Sequence, residues 1–148
     1  MAVRGIWFAA CLSLSGVVHA GSAPAELNCV SESGKVKLEG AIPSPSSEEM
    51  KLKLSYADGS LTFDSDATQG FVVADFPQSV FTLVIAAQGQ PLTLYAMPSS
   101  LTVKRESNGD AAGKFQAKLM APRPRSVSGV QADTPLKATL NCEYRYSL

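Results

Sequence analysis

From residue 26 onward the chain is dominated by short runs in which apolar and polar residues alternate, separated by Gly, Pro, Asn, Asp and Ser. Alternation with period two puts successive side chains on opposite faces of an extended backbone, so each run predicts a half-buried strand. Residues 35–39 set Val36 and Leu38 on one face against Lys35, Lys37 and Glu39 on the other. Residues 51–56 repeat the scheme with Leu52, Leu54 and Tyr56 inward. Asp58-Gly59 is a hairpin-turn signal, which makes 60–64 the returning strand. Further strands are expected over 26–31, 70–75, 79–88, 91–97, 101–105, 113–121 and 136–146.

Residues 80–87 are apolar on both faces, which predicts a central strand packed on both sides. No segment has a convincing amphipathic helical period. Residues 44–50 contain Ser-Ser-Glu-Glu, the makings of one capped turn, but Pro43 and Pro45 crowd it. The pattern therefore predicts an all-β fold: an antiparallel β-sandwich or small β-barrel of about 8–10 strands. An outer-membrane barrel would carry an apolar lipid-facing band, and Lys35, Lys37, Lys51 and Lys53 oppose that. Turn-rich joints fall at 41–49, 65–70, 106–112 and 122–135. None has the length or composition of a domain linker, and no internal repeat is present.

The first twenty residues follow a different rule. Arg4 supplies one positive charge, an apolar stretch runs over 5–18, and Val18-His19-Ala20 places small or apolar residues where signal peptidase reads them. The stretch is shorter than the roughly 20 apolar residues of a membrane span. Residues 1–20 are thus expected to be a cleavable signal peptide, and 21–148 a single secreted β domain, periplasmic or extracellular, with no membrane span after cleavage. A lipid-attachment reading at Cys11 leaves only about six apolar residues upstream, fewer than the ~7–15 a signal needs. A cut after Ala23 would put Pro24 at the new terminus and is the poorer alternative.

Cleavage removes His19, Trp7 and Cys11, leaving a domain with no histidine, no tryptophan and two cysteines. In an oxidising compartment those two have one possible partner each, so Cys29 and Cys142 are expected to form a disulfide tying the termini. Leu27 shares a face with Cys29, and Leu140, Tyr144 and Tyr146 share one with Cys142. Both sulfurs should therefore point into the core, with the two tyrosines packed in or beside it.

The same subtraction limits the chemistry. Without histidine there is no Ser-His-Asp triad, Cys-His pair or histidine zinc site, and a cystine cannot ligate zinc as thiolate. No Ser-x-x-Lys, Gly-x-Gly-x-x-Gly or P-loop pattern occurs. No enzymatic activity, cofactor or metal is expected. The nearest approach to a calcium loop is Asp64, Asp66, Thr68 and Asp75. Gln69 stands where such a loop needs glycine and Asp75 where it needs a longer Glu, so a polar hairpin loop is the expectation. The net charge, zero for the whole chain, gives no electrostatic case for nucleic acid.

One segment suggests a partner. Pro122-Arg123-Pro124-Arg125 favours an extended conformation, and Arg123 and Arg125 would form a small cationic ledge able to meet carboxylates. They are the candidate partner-binding residues. The function expected from all this is a non-catalytic binding module for a protein, inhibitor- or immunity-like. The alternatives are a structural subunit of a surface assembly joined through edge strands, or a β-barrel holding a small apolar ligand.

Overall fold

A computed structural model describes residues 23–87, 89–125 and 134–148. The signal segment expected at 1–20 lies outside the described residues. Ten strands form where the alternation predicts them: β1 (Ala25–Ser31), β2 (Val36–Ile42), β3 (Lys51–Tyr56), β4 (Gly59–Asp64), β5 (Gln69–Asp75), β6 (Val80–Ala86), β7 (Leu92–Ala96), β8 (Lys104–Arg105), β9 (Ala111–Ala121) and β10 (Leu136–Tyr146). Every ladder is antiparallel, and the strands form one sheet in the order β4-β3-β2-β1-β10-β9-β7-β6-β5, with β8 on β9. The sheet curls until it is nearly closed into a barrel. Among the described residues no helix is long and apolar enough to cross a membrane.

This order divides the barrel into two meanders, β1–β4 and β5–β10. They meet in one ladder, β1 on β10, where Cys29 is directly opposite Cys142. The two cysteines form the expected disulfide, across 113 positions of sequence. Both are buried, as their shared face with Leu27 and Leu140 requires. Tyr144 and Tyr146 are also buried. Phe81 lies at the centre of an aromatic group, with ring centroids 4.8 Å from Phe115, 5.8 Å from Tyr144 and 6.4 Å from Phe76. Leu38, Leu52, Leu54, Leu83, Ile85, Leu94 and Leu140 join it in one cluster, all fully buried. Side chains therefore occupy the barrel's interior.

Several local expectations change. The β3–β4 hairpin turns one residue early, at Ala57-Asp58, with Ala57 in the left-handed region at φ 52°. Gly59 is already in β4, paired with Tyr56. A Cβ there would collide with the Arg125 carbonyl, so packing and not the turn requires glycine. Residues 44–50 form no helical turn; Ser44 and Ser47 bridge each other instead.

The strand expected over 101–105 keeps only Lys104–Arg105. After a 3-10 turn at Pro98–Ser100, side chains take over part of the pairing with β9: Ser100 Oγ accepts the Gln116 N–H at 2.8 Å, and Thr102 Oγ1 donates to the Lys114 carbonyl at 2.9 Å. The polar joint 65–68 is not a hairpin, since it links β4 to β5, the two ends of the strand path. Finally, β6 is not covered on both sides. It lies next to the edge strand β5, and its outward-facing Val80 is exposed.

Candidate functional site

The arginine ledge is only partly a ledge. The guanidinium of Arg123 lies 5.3 Å from the centre of the Tyr56 ring. Its Nη1 donates to the Tyr56 hydroxyl at 3.4 Å and its Nε to the Thr134 carbonyl at 3.3 Å. Pro124 is buried, and with the Arg125 carbonyl it packs on Gly59. The segment thus packs beside the β3–β4 turn, with Arg123 half-buried and Arg125 exposed. Arg123 also lines a rim depression that includes Tyr56, Lys137 and Thr139.

The calcium-like residues separate. Asp64, Asp66 and Thr68 are bound into their own turn: the Asp66 N–H donates to Asp64 Oδ1 at 3.1 Å, and Thr68 Oγ1 to the Asp64 carbonyl at 3.0 Å. Asp75 ends β5, which begins at Gln69; at ~3.3 Å per residue it stands roughly 20 Å further on. Among the described residues no group of three or more His, Cys, Asp or Glu gathers as a metal site would need.

The feature that pattern reading missed is the outer face of β5, β6, β7 and β9. Register lines up two rows across these strands. One runs Phe71, Val84, Thr93, Met120; the other Val73, Thr82, Tyr95, Lys118. Phe71 is 58% exposed, Val73 61%, Tyr95 51% and Met120 37%. Solitary exposed apolar residues are ordinary, whereas a contiguous set is not. On β10 the rows end at Lys137 and Thr139. Around Tyr95 and Met120 the surface dips into a depression of about 500 Å³, lined also by Thr93, Lys118, Lys137 and Thr139. Neither Lys118 nor Lys137 has an ion-pair partner among the described residues. The site is therefore an apolar floor with the Lys118 and Lys137 ammonium groups along one side. Lys137 and Thr139 also border the Arg123 depression, so the predicted arginine and the unpredicted apolar face adjoin.

The face around the corner is different. Where β1, β9 and β10 run together the outward surface carries polar pairs, with Lys114 Nζ 2.7 Å from Glu143 Oε1 and Gln116 Nε2 donating to Asn141 Oδ1 at 3.2 Å. The Lys114 hydrogen bond and charge hold the Glu143 carboxyl below its usual range. Burial pushes the Tyr144 phenol up to about 12, against a smaller opposing pull from Arg105. Neither group is tuned towards neutrality, as a general acid or base would be. What the outer surface offers is contact area with cationic flanks. Comparison of the chain with known protein families, with curated proteins and with solved structures returns no match.

Proposed function

We propose that this chain is an exported, non-catalytic protein-binding module, working in the periplasm or outside the cell, and that it binds through the outer face of β5, β6, β7 and β9. The observation that carries the reading is the uncovered apolar set Phe71, Val73, Tyr95 and Met120. The core is complete without it, since the barrel interior is filled from the other side of the same strands. An exposed aromatic beside a flexible thioether and a shallow depression is the surface chemistry of protein interfaces. Lys118 and Lys137 favour a partner that presents an apolar anchor next to carboxylates. The Cys29–Cys142 bridge suits an oxidising compartment, which supports export. An apolar ligand inside the barrel fits less well, because side chains already fill that space.

The test is capture from an envelope extract with the wild-type chain and with Tyr95→Ser/Met120→Ser as bait. A protein retained by the wild type and weakened about tenfold or more in the variant is expected, in line with the loss of hot-spot contacts. The same proteins retained equally by both baits would remove this face from the function.

A further inference from the structure

Strand β5 is the bare end of the sheet. Between Gly70 and Ala74 its backbone hydrogen bonds go to β6 alone among the described residues. Edge strands in soluble proteins are commonly blunted by lysine, proline or a covering loop. The other end of the sheet, β4, shows such protection: Ser60 and Thr62 face outward, and the 124–125 segment packs on Gly59. In contrast, β5 has no lysine or proline, and its one charge, Asp75, is its last residue. Ala74 belongs to the inward face, opposite Phe81, yet it is exposed. At this end of the strand the core-facing side is therefore open as well, whereas at the other end Gly70 lies against Met50 and Pro43.

We infer that β5 pairs with β5 of a second copy, antiparallel about a two-fold axis through Val72. Three properties of the strand select this occupant. A two-fold perpendicular to the sheet keeps inward residues opposite inward ones only if one residue lies on the axis and is paired with itself. Of those registers, the one centred on Val72 is the only one that pairs all seven residues. It sets Phe71 opposite Val73 of the other copy, an aromatic and β-branched pair of the kind that stabilises sheets. It sets the exposed Ala74 opposite Gly70 of the other copy, where the glycine leaves room for it.

The charges agree as well. Antiparallel pairing places Asp75 opposite Gln69, an amide able to donate to it, whereas parallel pairing would bring the two Asp75 carboxylates together. The outward row Phe71, Val84, Thr93 and its neighbour Val73, Thr82, Tyr95 contain no charge, so nothing on the joined faces repels. The pairing uses the backbone edge and leaves Tyr95 and Met120 facing outward. Two binding faces would then lie side by side on one continuous sheet.

Seven paired residues bury on the order of 400 Å² per copy, about half of a standard interface. The dimer is therefore expected to be reversible, with dissociation in the micromolar range or weaker. It does not depend on the protein-binding reading, and the two fail separately. Light scattering across a micromolar to submillimolar series of the oxidised protein should show the mass rising from one chain to two. Val73→Lys should stay monomeric with an unchanged melting temperature, while Tyr95→Ser should dimerise like the wild type even if it loses a captured partner.

Cysteine pairs report the register. Phe71→Cys mixed with Val73→Cys should cross-link on oxidation. Phe71→Cys alone should not, because its two copies would lie beyond the ~7 Å Cα limit of a disulfide. A monomer throughout the series, a dimer indifferent to Val73→Lys, or Phe71→Cys linking to itself as readily as to Val73→Cys would each overturn the proposal.

Discussion

At Gly59 the requirement for glycine has a reason other than the obvious one. Asp58-Gly59 looks like a turn pair, yet the left-handed residue is Ala57 and Gly59 is in β4. Its missing side chain makes room for the Arg125 carbonyl and the Pro124 ring. Gly59→Ala is therefore expected to cost about 1–3 kcal/mol through forced displacement of that backbone, read as a lower midpoint in denaturant unfolding. Ala57→Gly should be neutral or stabilising, since it relieves a positive φ; the reverse ranking would return the glycine's role to the turn. Tyr144 offers a second residue-scale test. Burial lifts its folded pKa from 10.0 to about 12, so the folded state holds the phenolic proton more tightly than the unfolded chain does. That contribution is fully present below pH 10 and is lost as the pH rises from 10 towards 12. Tyrosine absorbance during alkaline titration should show a late-ionising component that Tyr144→Phe removes, and the same substitution should flatten the fall in stability over that window.

At the scale of elements, alternation was enough to locate the strands, because all but the two-residue β8 are at least partly buried on one side and their inward sets share one core. β10 is the clearest case: Leu136, Leu140, Cys142, Tyr144 and Tyr146 are buried while Lys137, Thr139, Asn141, Glu143 and Arg145 are exposed. Alternation failed where side chains took over part of the pairing, as Ser100 and Thr102 do along β9. It also could not place β6. A run that is apolar on both faces implies burial on both faces only if a second layer exists, and that depends on strand order, which periodicity does not encode. β6 came to lie beside the edge. Its outward valines then belong with Phe71, Val73 and Tyr95, and the signal read as double burial was part of the candidate binding face. The arginine segment was legible as a local conformation but not as a contact, because Tyr56 lies 67 positions away in sequence.

For the molecule as a whole, the arrangement of ladders gives the disulfide its importance. Meander β1–β4 and meander β5–β10 are each built from sequence-local pairings, apart from the step from β7 to β9. Among the described residues the two are joined by the chain between β4 and β5 and by a single ladder, β1 on β10. Cys29–Cys142 locks that ladder near its middle and closes a loop with a sequence separation of 113. Chain entropy assigns roughly 4–5 kcal/mol to a loop of this size, which is a large part of a typical total of about 5–15 kcal/mol. The loss should also be localised. Cys29→Ala/Cys142→Ala is expected to lower the unfolding free energy by several kcal/mol. Hydrogen exchange should speed up first along the β1–β10 ladder, ahead of the short-range hairpins β2–β3 and β5–β6. Two buried alanines would leave the ladder's backbone pairing intact, so the change measures the cross-link and the small volume lost with the sulfurs. If exchange instead accelerated evenly across all strands, the two meanders would be one cooperative unit in which the bridge has no special place. If stability were unchanged, the β1–β10 ladder would be strong enough to join the halves without it.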